Sequence, residues 1–587
     1  EVFTEPVPDP LGDLGRRHAR THGPFSAHEV AARFGIGVAV ATGVLRRLET
    51  ARVLVCGRLR PESLGGTGEE WCDAEVLRTL RRRSLAALRA EVEPVAPEAL
   101  GVFLPRWHGI GTLRGTDGLL RVVEQLSGAA VPASALETLV LPSRVTDYSP
   151  ALLDELTTTG EVLWCGHSSL PGGKDGLVSL HLADAAPLTL PDATPLEEDG
   201  PLDSDLHRAV VDLLTGSGGF FLPRIAELAG ASQAATLEAL WDLVWAGWVT
   251  NDGLGALRSR LGPGGGAHRA PRAPVRARPL ARGRFASLGA GASARGESDL
   301  RGGSGRWSAL PARELDPTRR THALTRVLLD RHGVLTRGAA PSEGVTNYFR
   351  GVYRVLSELE TTGTVRRGYF VEHLGGSQFA LPGAVDQLRT DAQDREHAEE
   401  SPGRRELGAL LLAATDPANP YGAALPWPEP RVPHEPGGGS PLGIGAPGSE
   451  RAVTDATGAA RASTSTALLT AHAVAARPAA RATHRPGRKV GSVVVLVGGD
   501  LVLYVERGGR SLISFGDDSS SAARRLATAC AELARASRAG LLGKMVIGRI
   551  DGIDALAGAG STASRAFGVT AALMEAGFRP TPRGLRA

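Results

Sequence analysis

Residues 25–58 read FSAHEVAARFGIGVAVATGVLRRLETARVLVCGR. Ser26 with Glu29 three residues on has the spacing of a capping box, in which hydroxyl and carboxylate satisfy orphan amides at a helix start. A short amphipathic run follows, then Gly35-Ile36-Gly37, then a second run that closes on Leu45 and Leu48. Six residues after Leu48 comes Leu54. The pattern predicts helix, turn, helix and a two-stranded hairpin, the winged version of the helix-turn-helix. In that arrangement the helix after the turn enters a DNA major groove while the hairpin touches backbone.

The ending recurs in LLDELTTTGEVLWCG from Leu152, ALWDLVWAGWVTNDG from Ala239 and VLSELETTGTVRRGYF from Val355. Each repeats the leucine pair, and Val162, Val249 and Val365 take the place of Leu54. Gly160, Gly247 and Gly363 stand where a helix needs a left-handed closing residue. The first copy has Arg52 there, so its cap is expected to differ. A second glycine, at Gly57, Gly166, Gly253 and Gly368, sits about where a two-residue hairpin turns. A weaker fifth echo, AALMEAGFRPTPRGLR, closes the chain near Gly577 and Gly584. Recurrence at this scale marks an array of like units. Such units also serve as protein–protein modules, and their number in series favours nucleic acid.

Between the copies the composition changes. PLEEDGPLDSD from Pro195 carries five carboxylates and no base, a solvated connector. From Gly264 to Arg331 there are 14 arginines against five acids, with Phe285 and Trp307 among them. Such a segment suits a surface that tracks backbone and stacks bases, and equally a solubilising linker. SVVVLVGGDLVLYVERGGRSLISF from Ser492 reads as consecutive strands with GGD and GGR turns. Together with LAATDPANPYGAALPWP it is expected to close a small β-barrel. SSSAARRLATACAELARAS then reads as a helix on a serine cap, and KMVIGRIDGIDAL as a strand entering the last unit.

The expected fold is therefore mostly α with small β hairpins (α+β): tandem winged-helix domains plus a small β-barrel. The expected divisions are winged helix one with its trailing helix over 1–92, winged helix two over 93–194 and winged helix three over 195–262. A basic connector over 263–315 and winged helix four over 316–390 follow. The barrel with a flexible insert takes 391–515, and a helix, strand and winged-helix-like unit takes 516–587.

The 587 residues are about four domains' worth. With 42% hydrophobic and 22% charged residues, wholesale disorder is excluded. Lysine and arginine (66) nearly balance aspartate and glutamate (63), so net charge selects no partner. Only Lys174, Lys489 and Lys544 are lysine; the rest of the basic set is arginine, whose planar fork suits phosphate. A GC-rich genome gives the same bias. Cys56, Cys72, Cys165 and Cys530 lie far apart with no CxxC pair, which suggests neither zinc nor disulfides and fits a reduced, cytoplasmic setting. The apolar run around Val493 to Val497 is too short to span a bilayer, so no membrane partner is expected. The start at Glu1, with no apolar leader after it, is expected of a portion of a longer protein.

No G-x-x-x-x-G-K-[ST] occurs: Asp175 follows Gly173-Lys174, and Met545 follows Gly543-Lys544. P-loop ATP hydrolysis is therefore excluded from this portion. HExxH and Gly-x-Ser-x-Gly are missing too, and neither metal nor cofactor is expected. Asp416 and Asn419, fixed between prolines in TDPANPYG, form the polar pair of most interest; a turn-stabilising role and general-base work are both open to Asp416. For phosphate contact the candidates are Arg46 and Arg47 on the second helix of the first unit, and Arg319, Arg320, Arg350, Arg354, Arg366 and Arg367 around the fourth.

VFLPRWHGIG (Val102 to Gly111), the stretch from Asp117 to Leu156, RGYFVEHLGGSQFALPGAV (Arg367 to Val385) and TDPANPYGAALPWP resemble the long C-terminal region of bacterial Lhr, the large helicase-related DNA repair proteins. EWCDAEVLRTLRRRSLAALR from Glu70 is similar to that family's helix after a winged helix. The resemblance runs through essentially the whole chain. It implies an ATP-dependent helicase core elsewhere in the same polypeptide, tandem winged helices with a small barrel, DNA as partner, self-association into a homo-oligomer and a nucleoid-associated location. Such regions are similar to winged-helix DNA glycosylases, and the resemblance implies uracil excision as an alternative function. Those glycosylases carry glutamine, an apolar residue, then glutamine or aspartate. Here Gln125, Gln233, Gln378, Gln387 and Gln393 are followed two residues on by Ser127, Ala235, Ala380, Arg389 and Arg395, so excision would rest on another residue, with Asp416 and Asp551 as candidates.

Overall fold

The computed structural model describes residues 8–66, 68–90, 93–196, 200, 202, 204–262, 300, 302–344, 348–400, 408–429, 485–517, 519–556 and 564–587. Within them the chain builds four winged-helix units, a winged-helix-like fifth unit and one six-stranded sheet. In unit one, helices Pro10–Thr21, Ala27–Phe34 and Val38–Thr50 precede β1 (Leu54–Gly57) and β2 (Glu70–Asp73), and Phe25 bridges Trp71. The capping box forms: the Ser26 amide donates to Glu29 Oε2 at 2.6 Å and the Glu29 amide to Ser26 Oγ at 3.3 Å. A trailing helix, Ala74–Ala90, continues directly from β2.

Unit two begins with Leu100–Trp107 and Gly115–Gln125, then β3 (Val131–Pro132), a broken helical stretch over 133–144, helix Pro150–Thr158, β4 (Val162–Ser169) and β5 (Gly176–Leu182). Unit three has Asp205–Ser217, β6 (Phe220–Phe221), Leu222–Leu228, Gln233–Trp245, β7 (Val249–Asn251) and β8 (Arg306–Ala309). Unit four has Pro317–His332, β9 (Val334–Leu335), Ala339–Ser342, Tyr348–Thr361, β10 (Arg366–Gly368) and β11 (Gln378–Ala380), with Pro382–Glu400 trailing. Then come β12 (Ala409–Ala413), β13 (Val493–Val497), β14 (Asp500–Val505) and β15 (Ser511–Ser514). Unit five has Ser520–Arg538, β16 (Val546–Ile547), β17 (Arg549–Ile550), β18 (Ile553–Asp554), Ser564–Glu575, β19 (Arg579–Thr581) and β20 (Gly584–Arg586). Units two to five share one strand order, with the wing's return strand in the middle: β3-β5-β4, β6-β8-β7, β9-β11-β10 and β16-β20-β19.

Gly160, Gly247, Gly363 and Gly577 close their helices at φ of 82°, 78°, 78° and 103°. Arg52 does the same at φ 58°, so the first cap has the geometry of the others and accepts a left-handed cost of about 1–2 kcal/mol. The second glycines do not make the hairpin turns. Gly57, Gly166 and Gly368 lie within strands, and at Gly166 a Cβ would stand 2.4 Å from the Val244 carbonyl oxygen. Close approach of unit three, rather than a turn, requires glycine there.

Two expected boundaries move. Unit three does not end at 262: its return strand is Arg306–Ala309, inside the range expected as a basic connector, and pairs Asn251 with Trp307. Burial of Trp307 edge-on against Trp241, ring centroids 5.5 Å apart, draws that strand in. Residues 252–305 thus all lie between two strands of one wing, and most of the arginine-rich segment (263–299 and 301) falls outside the described residues. The expected barrel is a sheet of order β12-β13-β14-β15-β17-β18 that does not close among the described residues. It recruits β17 and β18 from beyond 515, while 391–400 belong to the helix trailing unit four. All five side chains of VVVLV are buried. Val493, Val495 and Val497 share a core with Leu533 of helix Ser520–Arg538. Val494 and Leu496 share another with Phe103 and Leu388. A sheet covered on both faces needs no curling to hide its apolar surface.

Candidate nucleic-acid interface

The helix after the turn is the element a winged helix can offer to DNA, and the five copies differ in what theirs expose. In unit three it is sunk: eight of its side chains are buried, Trp241 and Trp245 among them, and the outer stripe carries Glu238 and Asp242 with no base. In unit two it carries Asp154, which Arg258 from unit three's wing holds at 2.7 and 3.0 Å while also gripping Glu137 at 2.7 and 2.8 Å. In unit five Met574 and Glu575 are exposed, and the side chain of Arg565 lies outside the described residues. Units one and four are the two whose post-turn helices expose arginine among the described side chains, through Arg46, Arg47 and Arg354.

The structure sorts the sequence-derived arginines by what already holds them. Arg46 and Arg47 are about two-thirds exposed and make only long contacts, 3.9 Å to Glu69 and 3.4 Å to Asp9, of the kind that contributes little in water. Arg319 is as exposed, 2.7 Å from Glu314. Arg354 and Arg366 are exposed. Arg320 is tied to Asp192 and to the Leu190 carbonyl at 2.8 Å, fastening unit four to the end of unit two. Arg367 lies over the rings of Tyr353 and Phe379 at 5.4 and 5.6 Å and donates to Ser377 Oγ at 2.7 Å. It ties the wing to the post-turn helix and is not presented to a phosphate. The side chain of Arg350 is outside the described residues.

Units one and four, far apart in sequence, meet. At the start of unit two, just beyond the trailing helix of unit one, the Val95 amide donates to the Phe370 carbonyl at 2.9 Å and the Glu372 amide to the Val95 carbonyl at 3.0 Å, a parallel bridge to Val371 that ties unit two to unit four. The Ala74–Ala90 helix packs against β10. Arg78, Arg81, Arg82 and Arg83 on that helix are exposed, and the sequence reading did not single them out as contacts. Their signal was present, since no acid occurs from Val76 to Ala90.

The candidate carboxylates lie elsewhere. Asp416 is buried: Oδ1 and Oδ2 accept from Arg144 Nη2 and Nη1 at 2.7 and 3.0 Å, and Oδ1 also from the Ala418 amide at 2.8 Å. Arg144 Nη2 is 3.0 Å from His108 Nδ1. Burial, then the Arg144 charge, hold His108 well below its ordinary pKa, so it is neutral. Asn419 turns inward, its amide donating to the Ala414 and Tyr421 carbonyls. Arg488 caps the same turn with four carbonyl contacts. Nearby in unit four, burial alone would raise the Glu343 carboxyl, yet Arg331 and the His332 ring bring it down to about 2. This cluster joins unit two, unit four and the sheet, with Asp416 paired to Arg144 and Glu343 to Arg331 within it. Asp551, at φ 48°, accepts from the Ser514 amide and hydroxyl, both at 2.7 Å, and so fixes the turn between β17 and β18 beside β15. The two aspartates are not brought together. Among the described residues no His, Cys, Asp and Glu group has the makings of a metal site, and no single helix is long and apolar enough to cross a membrane.

Two family models match, both described as "Large helicase-related protein, winged-helix domain": one over residues 95–183, which is unit two, and one over 314–400, which is unit four. The whole chain is 44% identical to the "Lhr helicase/ probable uracil glycosylase" of Mycolicibacterium smegmatis, over 34% of that protein. The chain belongs to the Lhr family. It is also 32% identical, over 87% of its length and 30% of the relative's, to the "Lhr helicase/uracil glycosylase" of Escherichia coli. It thus spans about a third of the length of these Lhr relatives. Among solved structures, the DNA glycosylase AlkZ of Streptomyces sahachiroi aligns over 76% of the chain and 98% of its own, at 13% identity and a TM-score of 0.39.

Proposed function

We propose that this part of an Lhr protein is a DNA-binding module with two reading heads, units one and four, held at fixed separation by the other units. The observation that carries the reading is the contrast among the post-turn helices. Two expose arginines, two are acidic or sunk against neighbours, and the two basic heads are joined through the Ala74–Ala90 helix. With the reading go a helicase core of the same polypeptide that supplies movement, self-association of the region and a cytoplasmic, nucleoid-associated place of work. Changing Arg354 and Arg366 together to glutamine is expected to weaken duplex binding about tenfold and to lower the slope of log affinity against log salt by about two, one per phosphate contact. Unaltered affinity and slope overturn the assignment of unit four.

A second reading, uracil excision, is favoured by the names of the two Lhr relatives. Both candidate carboxylates have their oxygens engaged by the protein, Asp416 by Arg144 and Asp551 by Ser514. Alkali treatment of a uracil-containing strand incubated with the chain is expected to leave the strand intact. Scission at the uracil makes excision the function, and its loss on replacing one carboxylate names the residue.

A further inference from the structure

We propose that the Ala74–Ala90 helix makes a third contact with DNA, running along the phosphate backbone between the two heads so that one duplex is engaged continuously from unit one to unit four. The inference rests on the reading of those heads and adds a surface that joins them. From Val76 to Ala90 the sequence has five arginines and no acid. Arg78, Arg81 and Arg82 are three and four residues apart and so share a helix face, and all three are exposed. Like charges at that spacing cost an isolated helix a few tenths of a kcal/mol per pair, and the chain offers little to offset them. Arg78 is 2.5 Å from Glu75 with both side chains mostly exposed, while no carboxylate pairs with Arg81, Arg82 or Arg83 among the described residues. Such a concentration of exposed positive charge suits an external polyanion.

The placement specifies the partner further. The helix is continuous with β2 and packs on Pro10–Thr21 of unit one; it also packs on β10, the edge strand of unit four's wing, which carries the exposed Arg366. Seventeen residues make a helix of about 25 Å, the axial length of about seven base pairs. A stiff rod of negative charge can pass over the cluster at Arg78, Arg81 and Arg82, about 6 Å of helix axis set between one reading head and the other.

The test compares the intact chain with an Arg78→Gln, Arg81→Gln, Arg82→Gln variant on a duplex of about 20 base pairs and on one of about 8, too short to cover both heads and the helix between them at once. Glutamine keeps the helix propensity, and thermal melting confirms the fold. On the long duplex, affinity is expected to fall at least about tenfold and the salt slope by about two to three, with a clearly smaller loss on the short one. Equal losses on both lengths overturn the bridging contact. No loss on either overturns it as well, and if the Arg354→Gln, Arg366→Gln variant still loses affinity, the reading of the heads stands. No loss from either variant removes that reading itself.

Discussion

Asp416→Ala is expected to destabilise the chain by about 3–5 kcal/mol, read as a large fall in the denaturant midpoint. The cause is the group left behind. Arg144 is wholly buried and gives both terminal nitrogens to Asp416 at 2.7 and 3.0 Å. Its remaining contacts are neutral: the Val140 carbonyl, Ser143 Oγ and the His108 ring. Without the carboxylate a guanidinium stays in a dry interior with no counter-charge at that position. Asp416→Asn keeps the shape but not the charge, and so is expected to lose most of the same stability. The pair also joins unit two to the turn that follows β12 of the sheet, so opening it loosens the scaffold that spaces the heads. A different outcome reassigns the residue: if Asp416→Ala melts with the parent chain but abolishes an excision activity, Asp416 is chemical rather than structural.

How far the sequence reaches can be seen at particular residues. The leucine pairs and the apolar residue six positions on locate four post-turn helices, because helix period and cap geometry are local properties. The Ser26 capping box is legible for the same reason. The wing of unit three was not legible, because its return strand is chosen by a distant partner: Trp307 pairs in register with Asn251 and packs on Trp241, with a long arginine-rich stretch between. The sheet was read as closing because VVVLV and the following strands show the period and turns of a meander. What covers the two faces, Ser520–Arg538 on one and Leu100–Trp107 with Pro382–Glu400 on the other, is a tertiary fact. Among the arginines, residue type marked the candidates, but only packing separates Arg366, exposed, from Arg367, laid over Tyr353. The Ala74–Ala90 helix was visible as a basic run, and its value as a surface depends on unit four lying alongside.

Trp241→Ala is expected to cost about 3–5 kcal/mol, with Trp241→Phe losing less because most of the cavity stays filled. The indole is fully buried, donates to the Gly302 carbonyl at 3.3 Å, and lies 5.6 Å from Trp245 and 6.4 Å from Trp164 of unit two. Arg260 stacks on its outer side at 4.8 Å. Trp164 in turn donates to the Asn251 carbonyl at 3.0 Å, and Thr250 to the Trp164 carbonyl at 2.7 Å. The helix that would read DNA in a free winged helix has here been spent on joining units two and three. A helix cannot fill a groove while its bulkiest side chains form the core between two domains, and the stripe it leaves outside is acidic. Glu238→Ala with Asp242→Ala is therefore expected to leave DNA affinity unchanged or slightly raised, as repulsion from phosphate is removed, while Trp241→Ala lowers stability. Weaker DNA binding from the carboxylate pair, at unchanged stability, makes unit three a third reader and ends the assignment of reading to units one and four.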